Sequence, residues 1–91
     1  MNYLVYTIRE PGHPLLNDAL QQEHVAWFGS LGETCKLASA FLSEDGTKIT
    51  GGILILDAGS LSEAEEIAAE DPFVRSGVYE THRVHPVGWG G

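Results

Sequence analysis

Apolar and polar positions alternate from the first residues of the chain: Tyr3, Val5 and Thr7 fall on one side, Leu4, Tyr6 and Ile8 on the other. The aromatic and β-branched content on both sides predicts a strand over Tyr3–Arg9 with both faces at least partly covered. Pro11-Gly12-His13-Pro14 breaks the alternation. The period then changes, with Leu16, Leu20, His24, Trp27 and Leu31 recurring at helical spacing and His24 filling one step of an otherwise apolar stripe. Gly32 is a natural stop for that helix.

Thr34–Leu42 reads as a second strand, Ser43-Glu44-Asp45-Gly46-Thr47 as a hairpin turn, and Gly51–Leu56 as the returning strand. Gly51 and Gly52 leave room for a bulge or for close approach by another backbone or a ligand. Ser60-Leu61-Ser62-Glu63 has the form of a capping box, so a second helix begins there and directs Leu61, Ala64, Ile67 and Ala68 to the core. Asp71-Pro72 restarts a short helical turn, since proline suits the first helical position and aspartate caps it; Gly77 ends that turn. Val78–Pro86 forms the last strand, and Val87–Gly91 a tail. The order β-α-β-β-α-β predicts an α+β, ferredoxin-like domain, residues 1–91, with a four-stranded antiparallel sheet carrying its helices on one face. The other face is too apolar for a small monomer to leave wet, so two sheets are expected to pair in a homodimer. A pocket would lie between sheet and helices or at the dimer seam.

At 91 residues the chain permits one small domain with limited stability as an isolated monomer. A hydrophobic fraction of 43% with 20% charged residues excludes disorder. Five basic against thirteen acidic residues give a net charge of −8, which repels phosphate backbones and anionic lipid; neither nucleic acid nor membrane is an expected partner, and small ligands remain. No secretory leader or membrane span is recognisable, and the single cysteine, Cys35, forms no internal disulfide, so a reducing cytoplasm is the expected location.

Candidate chemistry centres on two residues. A histidine oriented by a carboxylate is the smallest device for moving protons near neutral pH, and His24 with Asp71 could form one if the fold closes the 47 positions between them. Each also has a plain structural reading: His24 as a core histidine hydrogen-bonded to a backbone carbonyl, Asp71 as a helix cap. His82 and His85, three apart in a strand, point to opposite faces, and His13 sits in a loop, so no metal site and no cofactor are expected. Cys35 reads as a small hydrophobe, and Glu63, Glu65, Glu66 and Glu70 as a solvated helix face. Trp27, Phe28, Tyr3 and Tyr6 read first as packing residues.

The opening strand Tyr3-Leu4-Val5-Tyr6, the helical His24, the run Asp71-Pro72-Phe73-Val74 and Ser76-Gly77-Val78-Tyr79 together resemble the YCII-related family. Order and spacing carry the resemblance, which spans nearly the whole chain. It implies the dimeric α+β barrel arrangement and a catalytic His–Asp pair, here His24 and Asp71. Ser39, Phe73 and Tyr6 are the expected substrate-binding residues. Many relatives carry Gly-Pro where this chain has Ser39-Ala40, so the pocket rim is expected to differ there. The implied activity is cofactor-independent proton transfer, of lyase, isomerase or dehydrochlorinase type, on a small cyclic oxygenated compound. The rival readings are a non-catalytic small-molecule-binding dimer and a structural interaction protein.

Overall fold

A computed structural model describes all 91 residues. The elements follow the predicted order: β1 (Asn2–Arg9), α1 (Asp18–Ser30), β2 (Cys35–Leu42), β3 (Ile49–Asp57), α2 (Leu61–Ala69), α3 (Pro72–Ser76) and β4 (Tyr79–Pro86). The sheet is fully antiparallel in the order β2-β3-β1-β4, the ferredoxin-like βαββαβ topology. Helix α1 ends at Ser30, just ahead of Gly32, and a turn of 3-10 helix over Gly32–Thr34 passes the chain into β2.

On β1 the two faces have different fates. Tyr3 packs with Ala58 and Ala64, and Val5 with Leu56 and Ala68, so this side carries α2 and forms the core. Leu4, Tyr6 and Ile8 face the other way, where Tyr6 stacks on His85 at 6.3 Å. Ser60 caps α2 by accepting the Glu63 amide at 3.1 Å, but no reciprocal bond from the Glu63 carboxylate is made, so only half of the capping box forms. Leu61, expected in the core, is 39% exposed at the first turn, while Ala64 and Ala68 are buried.

The glycine pair of β3 is required by close backbone approach, and both residues also border the cavity described below. A Cβ on Gly51, whose φ is +148°, would lie 1.9 Å from the Thr7 carbonyl oxygen, and one on Gly52 would lie 2.8 Å from that of Ser39. Helix α1 differs from α2 in burying no residue completely. Of its stripe, His24 and Trp27 border a cavity and Leu31, just past its end, packs on the core, and its chief attachment is to α3. No helix is long and apolar enough to cross a membrane.

Candidate active site

The cavity, of about 420 Å³, opens between α1 and the helix-bearing face of the sheet. Val5, Thr7 and Arg9 of β1 line one side, Gln21, His24, Val25, Trp27 and Phe28 of α1 another, and Asp71, Phe73, Tyr79 and His82 close the end. Such a volume suits a single substituted ring.

Local sequence places the acid. Pro72 starts α3, Asp71 caps it by accepting the Phe73 amide on Oδ1 at 2.9 Å, and Gly77 ends it in the left-handed conformation at φ 81°. The same Oδ1 lies 2.7 Å from His24 Nδ1, and Oδ2 accepts the Tyr79 hydroxyl at 3.0 Å. The Asp71 carboxylate is thus almost fully enclosed, at 6% side-chain exposure, and each donor around it fixes its orientation. Because a carboxylate only accepts, Nδ1 of His24 carries the ring proton toward Asp71, leaving Nε2 to exchange a proton with a ligand. Phe73 stacks on the His24 ring at 4.0 Å and 2°, holding the imidazole flat against α3.

Tyr79 and His82 tune the surroundings. Burial, followed by the Asp71 charge and the hydrogen bond to it, pushes the Tyr79 phenol well above its ordinary range, so it remains a donor to Asp71. Burial pulls the His82 imidazole down from its ordinary value against the opposing pull of Asp71, which favours the neutral ring. His82 stacks on Tyr79 at 6.3 Å, and its Nε2 is enclosed without a hydrogen-bond partner. No three His, Cys, Asp or Glu side chains gather as a metal-ligand set.

Of the residues expected from sequence, the fold brings His24, Asp71 and Phe73 together at one end of the cavity. Tyr6 is not among them, since it lies on the opposite sheet face against His85. Ser39 borders the cavity but pairs in register with Ile53, itself opposite Tyr6, so its side chain belongs to that outer face. Arg9, Thr7, Tyr79 and His82 are cavity residues that sequence reasoning passed over. Arg9 had a usable signal, continuing the Val5–Thr7 alternation by one step. His82 also had one, as Thr7's partner in β4, but only once the register is known.

The model of the YCII-related domain matches residues 1–87. The chain belongs to the YCII-related family. Among solved structures, it is similar to the 5-chloro-2-hydroxyhydroquinone dehydrochlorinase of Burkholderia phenoliruptrix AC1100, determined in complex with 2,5-dihydroxybenzoquinone. The two share 24% sequence identity with a TM-score of 0.82, over 99% of this chain and 96% of the other. At that identity the likeness establishes the fold alone. No curated protein sequence matches.

Proposed function

We propose that this YCII-related protein is a small enzyme of lyase or isomerase type, in which His24 Nε2 takes and returns a proton on a small cyclic oxygenated compound without a cofactor. The observation that carries this reading is the bond sequence Tyr79–Asp71–His24 in the cavity wall, which gives each carboxylate oxygen a side-chain donor and leaves one imidazole nitrogen for chemistry. Removal of a proton from a ring position next to a carbonyl turns the C–H electron pair into an enolate. The pair then either expels a leaving group such as chloride or accepts the proton back at another carbon. His24 serves as base in the first step; in isomerisation it then returns the proton as acid, whereas after loss of chloride the imidazolium gives its proton to water, and Asp71 stabilises the imidazolium in between. The structural neighbour, named as a dehydrochlorinase and holding a dihydroxybenzoquinone, supports a ring compound of this class.

His24→Ala is expected to lower turnover of such a compound by about 10²–10⁴-fold, the usual worth of a positioned acid/base. Steady-state kinetics on a panel of chlorinated hydroxyquinones and lactones checks this, and unchanged turnover removes the proposal. A ligand bound and recovered chemically unchanged would point instead to a binding module.

The homodimer is part of the same reading. Leu4, Tyr6, Ile8, Leu37, Phe41 and Ile53 share the sheet face without helices, a surface that a second copy would cover. Light scattering is expected to give twice the 9.8 kDa chain mass at micromolar concentration; a monomer there would refute the pairing.

A further inference from the structure

Arg9 is the sole cationic side chain lining the cavity, although the chain has five lysines and arginines in all. Its guanidinium makes no ion pair or hydrogen bond within the protein, and its central carbon stands 5.6 Å from the centre of the Phe73 ring, the ring that stacks on His24. The reason it is free lies in the sheet. Between β1 and β4, Thr7 pairs with His82 and Ile8 with Thr81, so an uninterrupted ladder would set Glu80 opposite Arg9, a ready cross-strand ion pair. A bulge intervenes and Arg9 pairs with Tyr79 instead. Glu80 is displaced to the exposed surface, and Tyr79 occupies the cavity side, where it bonds Asp71. One irregularity thus completes the hydrogen bonding of the acid and withholds a carboxylate from the arginine. The other nearby acid, Asp71, already receives the His24 ring, the Phe73 amide and the Tyr79 hydroxyl.

We infer that Arg9 is an anion-recognition residue, and that the cavity takes a planar ring carrying a negatively charged oxygen, an enolate, phenolate or ring carboxylate, which the guanidinium meets. A guanidinium suits this role because it stays charged, offers forked donors, and lies comfortably against an aromatic face such as Phe73. The inference rests on the reading of the cavity as a ligand site and is independent of whether His24 moves a proton. In a chain of net charge −8, one unpaired cation at the cavity also sets the sign of ligand that is retained.

The test is calorimetric titration of the intact protein with 2,5-dihydroxybenzoquinone, which is anionic at neutral pH, and with hydroquinone under nitrogen, a neutral ring of similar size. Wild-type protein is expected to prefer the anion. Arg9→Gln should weaken anion binding by about tenfold or more while changing hydroquinone binding less than about twofold, the loss expected for one charge-assisted contact. Arg9→Lys should keep the preference at reduced affinity, and rising salt should erode it in wild type. Absence of an anion preference in wild type, unchanged anion binding in Arg9→Gln, or equal weakening for both rings would overturn the inference. His24→Ala separates the two proposals: retained anion preference together with unchanged turnover removes the proton-transfer reading and leaves the Arg9 assignment standing.

Discussion

Asp71→Ala is expected to remove both folding stability and turnover, with about 3 kcal/mol lost from a domain of ordinary total stability near 5–15 kcal/mol. The figure follows from what the carboxylate holds. Loss of the α3 cap costs about 1 kcal/mol, and the Tyr79 hydroxyl and His24 Nδ1–H, left without their acceptor, cost about 1 kcal/mol each. Asp71→Asn separates the two effects. The amide oxygen still accepts from His24 and Phe73, so urea denaturation should report a loss of no more than about 1 kcal/mol, whereas turnover falls about 10²–10⁴-fold because the imidazolium loses its counter-charge. If Asp71→Asn keeps wild-type turnover, Asp71 is only a cap.

Gly51→Ala is expected to destabilise the fold by about 3 kcal/mol or more, with no direct contact to any cavity ligand needed. The new Cβ would meet the Thr7 carbonyl oxygen at 1.9 Å, and that atom belongs to the central strand β1 and cannot swing away as a side chain would. A φ of +148° adds strain for any residue with a Cβ. Gly46→Ala is the informative contrast. Gly46 also has positive φ, at 75°, but nothing lies within 4 Å of its Cβ position, so its cost should stay near 1 kcal/mol in the same denaturation experiment.

The order of elements was readable because periodicity changes cleanly from two to about 3.6 and back, with Pro, Gly and Asp-Pro marking the joints. Which face of each strand meets the helices was not, since Val5 and Tyr6 stand in runs that are both apolar. Tyr6 was accordingly expected at the ligand and lies on the far face. Ser39 was lost to a finer effect. Cys35 packs toward Val5 and Leu56, and strict alternation would carry Leu37 and Ser39 to that side, but the register shifts between Cys35 and Leu37 and turns both over. The bulge at Arg9 hid Tyr79 in the same manner, since alternation back from His82 selects Glu80. The meeting of His24 and Asp71 did not depend on a strand register, because one sits within α1 and the other at the cap of α3.

Helix α1 buries no residue completely, and among its ties to the rest of the molecule are the His24–Asp71 bond and the His24–Phe73 stack. The same helix supplies Gln21, Val25, Trp27 and Phe28 to the cavity. One wall of the cavity is therefore held in part by the residue proposed to move the proton. Replacing His24 would thus loosen part of the cavity wall as well as remove the proposed acid/base.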